Sequence, residues 1–327
     1  MHRLLEQIDH RGVERVRWTG LRLVNRLLSR PAGFWTEFDG APLSRCPRRP
    51  LPRRGLSFPS GDDVAELTHL TVDERRVARI TLARPAAKNA FDAELIEQLT
   101  KAVDSVPADA RCVVLGSDGD TFCAGADLTW MRSMADYTHD ENLADSRAIA
   151  DLFGKLDALP MPIIARVQGA AIGGGAGLVA IADIAVAVEA ATFAFTEVRL
   201  GILPAVISPY VVRKVGSSFA TAAFVTGIRF DSHRAFETGL VHSVVDEGQL
   251  DPEVGRFIDA IIAGGPAAVN AAKRLVREVA GHSPAEVRDL TVQRIAAARV
   301  SAEGQDGMRA FLEKRAPRWL GGSRRQN

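Results

Sequence analysis

Cysteine is scarce. Cys46, Cys112 and Cys123 are widely spaced and odd in number, which argues against both a disulfide framework and a structural zinc site and suits a reducing compartment. Long apolar runs are missing. The longest uncharged one, residues 169–182, has 14 residues and is glycine-rich, whereas a membrane-spanning helix needs about 20. No long apolar stretch follows the basic start, so no secretory signal is visible. Histidines 69, 139, 233, 242 and 282 are scattered without metal-ligand spacing, and no metal is expected. Ser208 has no accompanying His and Asp signature, which argues against serine hydrolysis. Lysine is scarce beside abundant arginine, a bias that reads as codon usage of a GC-rich genome rather than as chemistry.

What is present is ordinary for a globular protein: 327 residues, 46% hydrophobic, 25% charged and a net charge of +1. The charge is uneven. Residues 1–60 contain 12 Arg, no Lys and five acids, a net +7 that leaves −6 for the remainder. Only this leader would favour nucleic acid or a membrane surface. Residues 1–30 read as an Arg-rich amphipathic helix. Pro31, Pro42, Pro47, Pro50, Pro52 and Pro59 then interrupt regular structure. Residues 1–65 are therefore read as a poorly ordered or misassigned segment, with a transit peptide or a docking arm as alternatives. The location expected is the bacterial cytoplasm, or the mitochondrial matrix if residues 1–60 are a transit peptide.

From residue 68 the pattern changes. Residues 70–72 and 77–82 read as strands joined by a polar turn, and Asp92 as the cap of a helix reaching residue 106. Strands follow at 112–115, 163–167 and 184–188, with helices at 142–159 and 173–182 between them. This alternation predicts a layered α/β domain over residues 66–264. Beyond residue 200 the reading is mainly helical, at 217–226, 232–238, 250–263, 266–280, 284–300 and 302–314. Residues 265–327 are assigned to a helical C-terminal part.

Two glycine turns carry the candidate chemistry. The first is Phe122-Cys123-Ala124-Gly125-Ala126-Asp127-Leu128 and the second Gly169-Ala170-Ala171-Ile172-Gly173-Gly174-Gly175, each between a strand and a helix. A helix start leaves N–H groups unpaired at the positive end of its dipole. Two starts aimed at one point would form an oxyanion hole for a carbonyl gaining negative charge. The plain alternative for each turn is tight strand-to-helix packing. A phosphate loop is disfavoured, because no Lys-Ser/Thr follows Gly175 and the dinucleotide-binding glycine spacing is not met. Asp127 reads as a helix cap. Trp130, Met131 and Met134 could line an apolar pocket or simply belong to the core.

Five segments occur in order: residues 80–90 with Lys88-Asn89-Ala90, 122–128, 169–177, the string Phe195-Thr196-Glu197-Val198-Arg199-Leu200-Gly201-Ile202-Leu203-Pro204, and Gly239-Leu240-Val241. Together they resemble the crotonase, or enoyl-CoA hydratase/isomerase, family over about residues 68–320. The resemblance implies the crotonase spiral of ββα units, with a helical C-terminal part that joins subunits into trimers or paired trimers. It implies an acyl-CoA thioester substrate, with no cofactor beyond the coenzyme A that the substrate carries. The donors to a thioester enolate would be the N–H groups of Ala126 and Gly174, and Glu197 would handle the proton or water. Ala124, Asp127, Leu128, Met131 and Gly173 would adjoin the substrate. Lys88, and Phe311 and Lys314 in the C-terminal helix, would reach the nucleotide.

One departure stands out. Hydratases of this family often carry a second glutamate where this chain has Gly177. Gly175-Ala176-Gly177-Leu178-Val179 and Leu203-Pro204-Ala205-Val206-Ile207-Ser208-Pro209-Tyr210 resemble the subgroup that hydrates branched glutaconyl-CoA thioesters such as 3-methylglutaconyl-CoA. The reading is thus an enoyl-CoA hydratase. The rivals are a Δ3–Δ2 enoyl-CoA isomerase using one glutamate, and a non-catalytic acyl-CoA- or RNA-binding homologue. Nucleic acid is the less expected partner, given the acidic bulk. Glu197 itself could instead be a solvated loop residue or an ion-pair partner of Arg199.

Overall fold

The computed structural model describes residues 66–323. The leader assignment for residues 1–65 lies outside the described residues. Strands β1 (Thr68–Val72) and β2 (Val77–Leu82) form an antiparallel hairpin with Thr68 opposite Leu82. Asp73 organises its turn by accepting from the N–H groups of Arg75 and Val77, each at 2.9 Å. Helix α1 (Ala93–Asp104) starts at Asp92, whose carboxylate accepts from Leu95 N–H at 2.8 Å, and buries Leu95, Ile96, Leu99 and Val103. Strand β3 (Cys112–Ser117) is buried throughout, as a parallel strand covered on both faces requires. Helix α2 (Leu128–Met134) is capped by Asp127. Helix α3 (His139–Ala158) opens on a capping box between Thr138 and Glu141, and Pro160 lies just beyond its end.

Strand β4 (Ile163–Val167) leads through β5 (Ala171–Ile172) into helix α4 (Gly174–Ile181). Strands β6 (Ile184–Val188) and β7 (Thr192–Ala194) follow, then helix α5 (Ser208–Thr226), broken at Gly216 with φ 77°. Strand β8 (Phe230–Asp231), helix α6 (Ser232–Glu237) and strand β9 (Ser243–Val245) come next. Helices α7 (Leu250–Ala263), α8 (Pro266–Val279), α9 (Arg288–Val300) and α10 (Ala302–Leu312) close the described chain, with a short 3-10 segment after them.

The main sheet has the order β1-β2-β3-β4-β6-β9, parallel everywhere except between β1 and β2. A second sheet, β5-β7-β8, carries the chain that leads into α4 and towards Glu197. Phe193, Phe195, Phe219, Phe224 and Phe230 pack beside this small sheet with ring centroids 5.1–6.2 Å apart. Helix α4 runs inside the core: every residue from Gly175 to Ile181 is buried. Its small side chains make that depth possible. At its C-terminal end the Lys214 ammonium donates to Ala182 C=O at 2.5 Å, a cation at the negative end of the helix dipole.

The α/β layering and the helical C-terminal region follow the expectation. Several boundaries differ. Helix α5 begins at Ser208 rather than 217, because Pro209 sits in its first turn, where the missing N–H costs nothing. Helix α9 begins at Arg288 rather than 284. Helix α4 begins at Gly174, since Gly173 has φ 53° and ψ −119°, outside any helix.

Candidate functional site

The first turn is stitched to its neighbours on both sides. Cys123 N–H donates to Ala170 C=O at 3.0 Å, and Ile172 N–H to Cys123 C=O at 2.9 Å. On the other side Phe91 N–H donates to Gly125 C=O at 2.7 Å, and Asp127 N–H to Phe91 C=O at 2.8 Å. Ala126, held between these two bonds, keeps its own N–H without an acceptor among the described residues. The Asp127 side chain accepts from Thr129 N–H at 2.7 Å and Trp130 N–H at 3.2 Å, which starts α2. Burial alone would raise the Asp127 carboxyl. The two N–H groups and the Arg84 guanidinium outweigh it and hold the carboxyl below its ordinary value.

The second turn swings on Gly173, whose N–H donates to Ala194 C=O at 2.8 Å. Its backbone angles are glycine territory. Gly174 is the first residue of α4, and its N–H also finds no acceptor among the described residues. Close approach joins the two turns. A β-carbon on Gly173 would stand 3.0 Å from Glu197 Oε1 and 4.0 Å from Gly125 Cα. One on Gly175 would stand 2.5 Å from Cys123 C=O oxygen. The packing reading of these glycines is therefore correct, and the same packing brings the two turns together.

Glu197 heads a 3-10 turn, Glu197–Leu200, just after β7. Its Oε2 is buried and has no hydrogen-bond partner among the described residues, and burial pushes the carboxyl above its ordinary value. No ion pair with Arg199 forms; that side chain lies instead against Gly227. A buried carboxyl oxygen left unpartnered is costly for folding, which makes this place the candidate site.

Gly177, one turn into α4, faces a closed wall. A β-carbon there would stand 2.4 Å from Ile207 Cγ2 and 2.9 Å from Phe153 Cε1. The space that a second acid would occupy is filled by hydrocarbon. This feature was invisible in the sequence, because it depends on where the segment before α5 packs.

The other expected site residues divide into two groups. Ala124 donates its N–H to Lys88 C=O at 3.0 Å, so Lys88 lies against the first turn. The Lys88 side chain is exposed and enters no ion pair among the described residues. Leu128 is exposed, while Met131 is half-buried one helical turn further on. Trp130 is buried in α2, with the Asp145 carboxyl of α3 as its polar neighbour. Phe311 (84% exposed) and Lys314 are not brought to the two turns within this chain, since α10 packs against α8 and α9. Asn89, Phe91 and Arg84 bond to the first turn or its flanks, and Ile207 packs on Gly177; no local sequence pattern marks any of the four.

Two surface hollows lie elsewhere, around Glu189 and Asp246, with Asp120, Glu247 and Glu253 on their walls. Such acidic walls disfavour an anionic ligand. Among the described residues, no group of three or more His, Cys, Asp or Glu is placed to hold a metal ion, and no helix is long and apolar enough to cross a membrane.

The family described as enoyl-CoA hydratase/isomerase matches residues 73–322. The enoyl-CoA hydratase EchA19 of Mycobacterium tuberculosis is 35% identical over 243 residues, covering 73% of this chain and 91% of that protein. Among solved structures, an enoyl-CoA hydratase from Shewanella pealeana superposes with a TM-score of 0.74 at 39% identity, over 77% of this chain and 96% of its own. Pseudomonas aeruginosa AtuE gives 0.73 at 33% identity, over 78% and 99%.

Proposed function

The chain belongs to the enoyl-CoA hydratase/isomerase family, and from that premise we propose that it is an acyl-CoA hydratase adding water across an α,β-unsaturated thioester. The observation that carries this reading is the buried Glu197 Oε2, unpartnered among the described residues, near two N–H groups that also lack acceptors. The thioester oxygen accepts from Ala126 N–H and Gly174 N–H. As water attacks the β-carbon, charge moves to that oxygen, where the donors already point. Losing one such donor typically costs about 3–4 kcal/mol of barrier. Glu197 takes a proton from the attacking water, and hydroxide bonds to the β-carbon. The same carboxyl then gives a proton to the α-carbon and returns to its starting state. One acid does both steps because Ile207 and Phe153 fill the space beside Gly177, where a second acid would stand.

The substrate class we propose is a branched or carboxylated enoyl-CoA such as 3-methylglutaconyl-CoA. Support comes from the strings at 175–179 and 203–210, which resemble that subgroup and form this apolar wall. Leu128 and Met131 adjoin the acyl chain, and Lys88 takes a phosphate of the nucleotide. Phe311 and Lys314 reach the nucleotide across a subunit boundary in a homotrimer or hexamer. Exposed Leu200, Ile202, Leu203 and Leu312 supply apolar surface for such assembly.

The closed wall at Gly177 also favours a second reading. A single carboxyl can shuttle a proton between the α- and γ-carbons, which is a Δ3–Δ2 isomerisation. Turnover against straight, branched and carboxylated enoyl-CoA thioesters, followed by mass spectrometry, separates the two. Hydration adds the mass of one water to a conjugated substrate, whereas isomerisation leaves the mass unchanged. No product from any thioester removes the enzymatic reading.

Installing the absent acid should fail on its own. Gly177→Glu is expected to destabilise the protein by about 1–3 kcal/mol through overpacking, without raising turnover. Adding Ile207→Ala should recover part of that loss in a denaturant titration. An undisturbed midpoint in the single variant would show that the wall yields.

A further inference from the structure

The connection from β2 to α1 touches both turns, although it supplies no group to the reaction. Phe91 is its pivot. Its N–H and C=O bracket Ala126, at 2.7 Å to Gly125 C=O and 2.8 Å from Asp127 N–H. Its ring lies against Gly174, 2.9 Å from where a β-carbon would stand. One buried residue therefore sits between the two donors and contacts the surroundings of each.

Two polar residues lock that pivot. Asn89 is fully buried. Its Oδ1 accepts from Arg84 N–H at 2.9 Å, and its Nδ2 donates to the C=O groups of Asp118 and Thr121 at 2.8 Å each. The amide thus ties this connection to the exit of β3 and the start of the first turn. Arg84 completes the clamp. Its Nη1 donates to Ala90 C=O at 2.9 Å, and its guanidinium lies 3.0 Å from the Asp92 carboxylate and 3.2 Å from that of Asp127. Those acids cap α1 and α2, and Asp127 directly follows Ala126. Lys88 and Asn89 both hold positive φ, 52° and 54°, a conformation that asparagine tolerates and that for lysine needs support from its surroundings.

We propose that Arg84, Asn89 and Phe91 are positioning residues that set the spacing and aim of the Ala126 and Gly174 N–H groups. The inference rests on the reading of those groups as donors to the thioester oxygen. Donor strength falls steeply as distance and angle depart from hydrogen-bond geometry, so a looser clamp weakens charge stabilisation before it weakens binding of the uncharged thioester.

The test uses Arg84→Met, which keeps the stem and removes the guanidinium, with Arg84→Lys as the conservative rescue. Phe91→Leu is an independent variant that retains the main-chain clasp and loses the ring. kcat and KM are measured on the enoyl-CoA that the unaltered protein turns over, with melting temperature alongside. A 3-ketoacyl-CoA serves as a second probe, because its enolate has a near-ultraviolet band and binding by the two donors favours that form. Arg84→Met and Phe91→Leu are expected to lower kcat by about tenfold to a hundredfold with KM within about twofold, and to weaken the enolate band. Arg84→Lys should recover part of both. If either variant folds with kcat and the enolate band unchanged, the proposal is overturned for that residue. The band reads the donors without turnover. Absence of any hydration or isomerisation by the unaltered protein would therefore count against the function, and an unchanged band in the variants would count against the clamp.

Discussion

Glu197→Gln is expected to lower turnover of an enoyl-CoA thioester by about 10²-fold or more while raising the melting temperature at neutral pH. Both effects come from one fact. The carboxyl is half-buried, and its Oε2 has no partner among the described residues. Burial raises its pKa, so the folded state holds the proton more tightly than the unfolded chain does. Between the ordinary value of 4.5 and the raised one, the folded state binds more protons, and stability falls as pH rises. Above that window the cost of a buried charge is complete. Glutamine is never charged and escapes it. The same shift places the acid limb of kcat/KM above pH 4.5, and the limb should disappear in the residual activity of the glutamine variant. A variant with unchanged turnover would remove Glu197 from the reaction. A variant that melts lower would mean that the carboxylate is stabilised by something other than the groups around it here.

The second large effect is expected at Gly173. Alanine there meets two obstacles. Its φ of 53° and ψ of −119° are adopted almost only by glycine, at a cost of order 1–3 kcal/mol for other residues. Its β-carbon would also stand 3.0 Å from Glu197 Oε1. Relief comes by rotating the carboxyl away or by tilting the start of α4, and either moves a reacting group. Gly173→Ala is therefore expected to reduce kcat by about 10²-fold or more, beyond what its lower melting temperature explains. Turnover at a temperature where the variant remains folded checks this. Near-normal kcat in folded protein would mean that the junction of the two turns tolerates displacement.

The chain revealed its long or strongly punctuated elements. Strands β2, β4 and β6 are uninterrupted enough to be delimited from residue type alone, and Asp92 and Asp127 cap the helices their positions suggested. The two-residue strands β5 and β8 were not visible, because so short a segment carries no periodicity. Helix α5 opens at Ser208, before the expected 217, because Pro209 fits its first turn, where the missing N–H costs nothing. At the site, the glycine turns announced possible donors. That the two turns meet did not show, since it depends on bonds between segments about fifty residues apart, such as Cys123 with Ala170. Nor could any local pattern show that Ile207 fills the space at Gly177.

Both proposed donors to the oxygen are peptide groups, not side chains. Ordinary coding changes at positions 126 and 174 leave a peptide N–H in place; only proline deletes one outright. The side chains proposed to line the acyl site, Leu128, Met131 and Ile207, have no such protection, and substitution can change their shape. Descendants of this architecture should therefore diverge early in the acyl groups they accept and late, if at all, in the kind of bond they act upon.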